Sequence, residues 1–410
     1  MSRSGAMQIN SLAARKRVEL TGRGLSSVDG AEFVIKAISE RRSVTHLVLG
    51  HNPLGDDGCE KLFEWLDSEA GRKYHIEVIH LNVCNIGDRG LVAIGQFLDG
   101  NAGTKELWLQ ANHFKGDPDA VASFAKGINT SRLEVLSLST TSPPVIVSLV
   151  KVLDTPYLRE LQCCMCAITP EDAPALISYI VSPRCRLHNL KANANSMGWR
   201  AIKDLVAAIE RANFTLLSLD LYMNGSTEDD TADDTNAKDT TRQLIGNLLT
   251  RNMLLMRATE SEAVLLLRHS RPLLLRPSVP LNSPAPSEGH CGFADLPTEI
   301  QLHALSFLAP TLSSRQLVQI YNYASSTATL PALLPSLKKT CLPDPMSLSF
   351  AHSSGCANGK CMRSSVLCNL GEERRTWLAR VGCNRYDPEF TLQDRKDDGQ
   401  ESRSCSIPLV

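Results

Sequence analysis

The chain has 410 residues and a formal net charge of −1, so it lacks the basic excess typical of proteins that bind nucleic acid or anionic membranes. Its most apolar run, residues 263–275, contains two arginines and is too short to cross a bilayer. The first ten residues lack the apolar centre of a secretion signal. Thirteen cysteines without regular spacing predict free thiols and a reducing location, the cytoplasm or the nucleus.

A short pattern recurs along residues 15–224. If the first apolar residue is counted as position zero, apolar residues follow at the third and fifth positions, and Asn, Cys or Thr follows at the eighth position. Copies begin at Val44, Ile76, Thr104, Leu133, Leu158, Leu187 and Leu216, and a weaker copy contains Val18 and Leu20. The copies start 25 to 32 residues apart, and a nearly constant period in this range is typical of stacked repeats.

Each copy combines a short strand with a helix. Alternate side chains of the L-x-L segment point to opposite faces, so neighbouring copies can bury one face. The Asn or Cys that follows can satisfy backbone groups left unpaired at the turn. In the second copy, Gly55–Gly58 supplies a turn and a helix cap, and Cys59, Leu62 and Leu66 follow at helical spacing.

The pattern resembles the leucine-rich repeat family, in its long ribonuclease-inhibitor-like class, over residues 15–270. The resemblance implies an α/β solenoid, a horseshoe with a parallel sheet inside and helices outside. It implies no particular activity, because the fold supports many functions. The sequence shows no catalytic constellation and no cofactor motif, so we predict a protein-binding scaffold that is not an enzyme and needs no cofactor.

One catalytic alternative stays open at this point. Ran-type GTPase-activating proteins use the same repeat class and act by docking on the GTPase, so they show little local catalytic motif. Their characteristic long acidic tail is missing from this chain.

The register predicts which side chains face the concave side of the horseshoe. They are the central residue of each L-x-L segment and the residue two positions later. From these columns we predict a partner-binding surface containing His80, Asn82, Trp108, Gln110, Gln162, Lys191, Asn193, Asp220 and Tyr222. Any solvated sheet face is polar, but a tryptophan in a groove is typical of binding hot spots. The alternative is that the tail of the chain covers Trp108.

The cysteine-rich segment "LQCCMCAI" invites a metal-site interpretation, which the repeat register argues against. Cys163 occupies the buried position of L-x-L, and Cys166 occupies the turn position, as Cys84 does. Only Cys164 points to the open face. We therefore predict structural roles, since free cysteine behaves as a small buried apolar residue.

An acidic run, residues 226–235, follows the last clear repeat. Aligning Leu255 with Leu216 gives a spacing of 39, ten more than the usual 29, so we interpret the run as a loop insertion. It is either a solvated loop or a docking site for a basic partner. The helix-like stretch 260–270 is expected to cap the open end of the stack.

A second module follows a proline-rich linker, residues 271–294. The helical hairpin at 295–328 begins Leu-Pro-x-Glu-Ile and resembles the first half of an F-box, with Ser313 or Ser314 as the cap of its second helix. In that family the hairpin docks on a Skp-type adaptor of cullin ubiquitin ligases. The resemblance implies adaptor-docking roles for Leu296, Pro297, Ile300, Leu305 and Phe307. The second half departs from the family pattern, so a plain hairpin that packs on the solenoid end is the alternative.

The two termini carry less information. Residues 1–14 are expected to be flexible, and residues 329–410 to form a partly ordered tail with a short helix around Trp377 and Leu378. The tail cysteines are Cys356, Cys361, Cys368 and Cys383, with His352 nearby. Their spacings of 5, 7 and 15 do not match the paired cysteines of zinc modules, so we predict no metal site.

Overall fold

A computed structural model describes residues 16–225, 235–275, 293, 296–329 and 370–388 of the chain. The chain divides into two compact units, residues 1–251 and residues 252–410. Among the described residues, no helix combines the length and the apolar character needed to cross a membrane.

The first unit contains one parallel sheet of eight strands that follow one another in chain order. The strands are β1 Arg17–Glu19, β2 His46–Val48, β3 Val78–His80, β4 Glu106–Trp108, β5 Val135–Ser137, β6 Glu160–Gln162, β7 Asn189–Lys191 and β8 Ser218–Asp220. Their register is unbroken, and from Val18 in β1 to Leu190 in β7 the central side chain of every strand is fully buried. The weak first copy of the pattern is therefore a true strand.

Helices alternate with the strands and pack on the face that carries these central residues. They are α1 Ser27–Ser39, α2 Gly55–Asp67, α3 Glu69–Arg72, α4 Asp88–Leu98, α5 Pro118–Thr130, α6 Pro143–Val152, α7 Ala173–Val181 and α8 Gly198–Ala212. The helical side chains predicted to face inward, such as Leu62 and Ile94, share one continuous core with the strands. The predicted α/β solenoid is confirmed.

The eighth position of the pattern links successive repeats. The Asn112 side-chain oxygen accepts hydrogen bonds from the backbone of Cys84 and Ile86, at 3.0 and 3.1 Å. Its amide nitrogen donates to the carbonyls of Leu81 and Leu109, at 2.8 and 2.9 Å. One buried side chain therefore satisfies four backbone groups in two repeats, which is why the pattern demands this residue type.

The Gly-Asp-x-Gly segment caps a helix, but not its own. The N-cap residue of α2, Leu54, makes no side-chain capping bond. Instead, Asp56 Oδ1 accepts hydrogen bonds from the backbone of Gly87 and Gly90, at 2.6 and 2.9 Å, where α4 begins in the next repeat. Capping therefore also joins neighbouring repeats.

The alignment of Leu255 with Leu216 as a further repeat is wrong. Residues Thr235–Leu274 form one helix, α9. The segment is rich in leucine and arginine, which are good helix formers. Of the predicted loop insertion at 226–235, only the backbone of Thr235 lies within the described residues.

The α9 residues that cap the repeat core lie earlier than predicted. Leu248 is buried in that core, and its helical neighbours Leu244, Ile245 and Leu249 pack against it. Arg251 donates to the carbonyl oxygens of Glu210 and Asn213, at 2.8 and 2.9 Å, at the end of α8. A cationic side chain is favourable there, because the last helical carbonyls carry partial negative charge. The predicted cap at 260–270 instead contributes Ala263 and Leu267 to the core of the second unit.

The second unit has its own small core. Besides the rest of α9, it contains α10 Thr298–Ser306, α11 Ser314–Ser325, a 3-10 turn at Thr327–Thr329 and α12 Leu370–Arg380. Buried residues of all four helices form one cluster. Of the two predicted caps, Ser313 or Ser314, the structure selects Ser313, which forms a capping box with Gln316 at the start of α11. The tail helix around Trp377 and Leu378 is also confirmed, with both side chains buried. Within the predicted linker at 271–294, residues 271–274 complete α9, and most of the remainder lies outside the described residues.

Candidate functional site

The first and third residues of each strand point away from the helices, because side chains alternate along a strand. We call this side of the sheet the open face. The third residues form one row, which the register fixes as Glu19, Val48, His80, Trp108, Ser137, Gln162, Lys191 and Asp220. The residues two positions later form a second row, which contains Asn82, Gln110, Asn193 and Tyr222. All nine predicted partner-binding residues therefore lie in these two rows.

His80 and Trp108 form a stacked aromatic pair at the open face. Their ring centroids are 5.2 Å apart and their planes differ by 22°. Both side chains are half-buried, and the indole Nε1 donates to Glu106 Oε2 at 3.3 Å. Burial and the charge of Arg17 lower the pKa of His80, so the imidazole is neutral at pH 7.

Glu160, on β6 and two strands from Trp108, is the centre of a polar cluster on the same face. Its carboxylate accepts from Lys191 Nζ at 2.7 Å, from Asn189 at 3.0 Å and from Gln162 at 2.5 Å. Burial raises the pKa of Glu160, but these hydrogen bonds outweigh burial, and the net pKa is lowered. The hydrogen bond with Glu160 raises the pKa of Lys191. Both groups therefore stay charged at neutral pH.

A chain of hydrogen bonds extends this cluster toward Trp108. Gln110 Nε2 donates to Ser137 Oγ at 2.7 Å, and Ser137 Oγ donates to Gln162 Oε1 at 3.2 Å. Ser137 and Gln162 are buried, with 0% and 6% of their surface exposed, so the chain is partly shielded from water. These hydrogen bonds therefore hold five side chains in position in the free protein, those of Gln110, Ser137, Gln162, Glu160 and Lys191.

Other predicted residues have bonds inside the protein. Asn82 Oδ1 accepts from the backbone of Gln110 at 3.0 Å, and Asn193 Oδ1 accepts from the backbone of Tyr222 at 3.1 Å. Both asparagines join neighbouring strands, and Asn193 is buried. Tyr222 has 65% of its surface exposed and Asp220 is half-buried. A direct contact with a partner is therefore easier for Tyr222 and Asp220 than for the asparagines.

Sequence reasoning missed the first residue of each strand. Glu106, Glu160 and Asn189 occupy this row and complete the two clusters. Side chains alternate along a strand, so the residues two positions before Trp108, Gln162 and Lys191 lie on the same face as those residues. This rule would have identified them from the sequence. The register prediction for "LQCCMCAI" is confirmed, because Cys163 and Cys166 are buried and Cys164 is half-buried.

The predicted adaptor-docking residues divide into two groups. Leu305 is buried in the core of the second unit, and Leu296 is half-buried. Pro297 is exposed and immediately precedes α10, while Ile300 and Phe307 have 50% and 73% of their surface exposed. The set therefore does not form one continuous surface.

Within the described ranges, no group of three or more His, Cys, Asp or Glu side chains could hold a metal ion. Of the tail cysteines, only Cys383 is described. It is fully buried, and burial raises the pKa of its thiol to about 12. Cys356, Cys361, Cys368 and His352 lie outside the described residues.

Comparison with known families identifies two of the repeats. Residues 42–63 and 75–95 match the family model described as Leucine Rich repeat. The first match covers β2 and most of α2, and the second covers β3 and most of α4, so each match is one strand followed by one helix. Comparison with curated proteins gave no match. Together with the eight-stranded parallel sheet and its single layer of helices, these matches show that the first unit is a leucine-rich repeat solenoid.

Proposed function

We propose that the chain is a scaffold that binds a partner protein on the open face of its repeats. Leucine-rich repeats are in general protein-interaction modules. Two neighbouring features of the open face support the proposal. One is the half-buried stack of His80 and Trp108, and the other is the chain of hydrogen-bonded side chains that begins at Gln110 and ends at Lys191. Such a surface offers an aromatic anchor and fixed polar groups together, as binding hot spots do.

Low side-chain entropy cost and apolar burial both favour binding at this face. The polar side chains are already held by each other, so binding costs little additional side-chain entropy. The indole of Trp108 still contacts solvent, so a partner that covers it gains apolar burial. The proposed role is binding alone, without a reaction at this face.

The decisive variant is Trp108→Ala. Removal of a true anchor typically weakens binding by about 2 kcal/mol or more. The full-length chain, wild type or variant, should be used for quantitative affinity purification from cells, with captured proteins identified by mass spectrometry. We expect the principal partner to be lost from Trp108→Ala and retained by Phe33→Ala, which removes an exposed aromatic ring from α1.

Melting temperatures separate binding from folding. Both variants should melt within a few degrees of the wild type, because neither ring is fully buried. A large fall in the melting temperature of Trp108→Ala would mean that the indole belongs to the core. A partner retained by both variants would lie on another surface, and the proposal would be wrong.

We further propose that the protein works in a reducing compartment, the cytoplasm or the nucleus. The described cysteines, which are Cys59, Cys84, Cys163, Cys164, Cys166, Cys185 and Cys383, are all free. Burial raises the pKa of several of these thiols, for example that of Cys84 to about 11, which suits an inert structural role. Microscopy of the tagged chain tests the location.

Exposed apolar side chains on α10 favour a second candidate, a substrate receptor that docks on a Skp-type adaptor. Ile300 and Phe307 are open to solvent, whereas Leu305 is used by the unit's own core. Pull-down should recover the adaptor and a cullin with the wild type, and the double variant Ile300→Ala, Phe307→Ala should lose both. Val318→Ala, at an exposed site on α11, is the control. Absence of the adaptor from the wild-type sample, where a known F-box protein recovers it, would exclude this candidate.

No described feature favours the GTPase activator over the scaffold. Phosphate release from GTP-loaded Ran, measured with and without the full chain, tests that alternative directly.

A further inference from the structure

Glu106 makes no ion pair with any residue that the structure describes. The register places it between Val78 and Val135 in the first row of the open face. Its Oε2 atom lies 3.3 Å from the indole Nε1 of Trp108. The side chain is half-buried. Its neighbours across the sheet, Val78 and Val135, offer no positive charge, so a cation of a partner can pair with this carboxylate.

The rest of the open face does not supply that charge. Arg17 is paired with Glu19 and Lys191 with Glu160. The charged residues in the first and third strand positions are Arg17, Glu19, Glu106, Glu160, Lys191 and Asp220, four acids and two bases, so the strands carry a net charge of −2 when the histidines are neutral. The surplus negative charge belongs to Glu106 and Asp220. A partner that complements this face is therefore basic.

The space beside Trp108 also selects the partner. His80 stacks on the indole from β3. His80 leaves part of the indole open to solvent, because Trp108 and the neighbouring Glu106 are both half-buried. A planar cation of the partner can reach the ring there and still contact the carboxylate of Glu106.

We propose that the partner inserts an arginine at this point, with its guanidinium stacked on Trp108 and ion-paired with Glu106. This assignment rests on the proposed function and names the chemistry that the open face recognises. Arginine fits better than lysine, because its guanidinium is planar, weakly hydrated and able to donate two parallel hydrogen bonds to one carboxylate. Stacking on tryptophan adds the attraction between a cation and the ring.

The test uses N-acetyl-arginine amide as the probe and the indole N–H signal of Trp108 as the readout. The full chain, labelled with nitrogen-15, contains four tryptophans, and Trp108→Phe assigns the signal. N-acetyl-citrulline amide, which has nearly the same shape but no charge, is the matched control ligand. We expect a saturable shift with the arginine probe and none with the citrulline probe.

Two variants locate the binding charge. Glu106→Gln keeps the shape of the side chain but removes its charge. It should lower the affinity for the arginine probe by about fivefold or more, the loss expected for one exposed ion pair and part of a cation–ring contact. Glu64→Gln makes the same substitution at an exposed site on α2, away from the open face, and should leave the affinity unchanged. Equal melting temperatures of the variants and the wild type would show that the fold is intact.

Three results would overturn the assignment: no saturable shift with arginine, an equal shift with citrulline, or an equal loss of affinity in Glu64→Gln. Failure here is distinct from failure of the proposed function. If Trp108→Ala loses the captured partner but arginine gives no shift, the face binds a partner and the arginine assignment alone is wrong. If arginine binds but Trp108→Ala retains the partner, the proposed function is wrong, and the assignment of a partner arginine falls with it.

Discussion

A residue in the left-handed backbone region recurs once per repeat, immediately before the eighth position of the pattern. These residues are His51, Val83, Ala111, Thr140, Met165, Ala194 and Met223, with φ between 53° and 60°. Each occupies the same turn, and in all but Met223 the backbone N–H donates to a carbonyl of the next repeat, as Val83 N does to the Gln110 carbonyl at 2.9 Å. The stack therefore imposes a conformation that costs a non-glycine residue roughly 1–2 kcal/mol.

Val83 bears this cost most clearly, because β-branched side chains fit the left-handed region poorly. Its side chain is 38% exposed and lies outside the hydrophobic core of the repeats. We expect Val83→Asn to stabilise the protein by about 1 kcal/mol, since asparagine tolerates this conformation. Urea denaturation measures the change. Val152→Asn, at an exposed site at the end of α6, should give no gain, and equal effects at both sites would refute the explanation.

His188 makes stability depend on pH. Burial, with a contribution from Arg159, lowers the pKa of His188 from 6.5 to about 4. Between these values the unfolded chain binds a proton that the folded chain does not, so stability is full above pH 6.5 and falls as the pH approaches 4. The free energy of unfolding should therefore be lower at pH 5 than at pH 7. His188→Asn should show a smaller difference between the two pH values, and an unchanged difference would assign the effect to other groups.

At the scale of the element, a carboxylate from one repeat fixes the start of the helix in the next. Asp56 bonds to Gly87 and Gly90 at α4, and Asp88 does the same for the backbone of Lys115 and Asp117 before α5. Negative charge at a helix start also interacts favourably with the helix dipole. The helices are thus positioned by neighbours as well as by their own sequence.

Asp56→Ala should therefore destabilise the solenoid by about 1–2 kcal/mol, the usual cost of losing a cap. The adjacent Asp57 is the matched control, because its carboxylate makes only an exposed ion pair with Arg89. Asp57→Ala should cost less than about 0.5 kcal/mol. Chemical denaturation of the two variants measures the difference, and equal losses would show that the capping bonds add nothing.

At the scale of the whole molecule, two separate cores predict two unfolding processes. The larger core belongs to the repeats, and the smaller one joins α9, α10, α11 and α12. Leu378 lies in the smaller core with 1% of its surface exposed. Leu378→Ala should destabilise the second unit by about 2–5 kcal/mol and leave the repeats nearly unchanged.

Hydrogen exchange followed by mass spectrometry measures both units in one sample. In Leu378→Ala, we expect faster exchange in peptides from α11 and unchanged exchange in peptides from β3 to β6. Leu107→Ala, in the larger core, should give the opposite pattern. Faster exchange of both units in either variant would show that they unfold together.

The sequence by itself determined the repeat architecture. A buried residue, a turn residue and a helix recur at a nearly constant spacing, so each copy predicts its neighbours, and alternation along a strand places Trp108 on the face opposite Leu107 and Leu109. The two rows of predicted site residues follow from the same rule. Ser313 as a cap and the helix around Trp377 are equally local properties, readable from a few adjacent residues.

Only the tertiary structure decided which side chains meet. Trp108 stacks on His80, Lys191 pairs with Glu160, and Gln162 is buried, because stacking of the repeats brings together residues that lie 25 or more positions apart in the chain. The Ser313 hydroxyl donates to Asp387 at 3.0 Å, 74 residues away, within the second unit. Local patterns specify strand, turn and helix, but the pairing of distant side chains depends on packing and charge in three dimensions, which no single segment encodes.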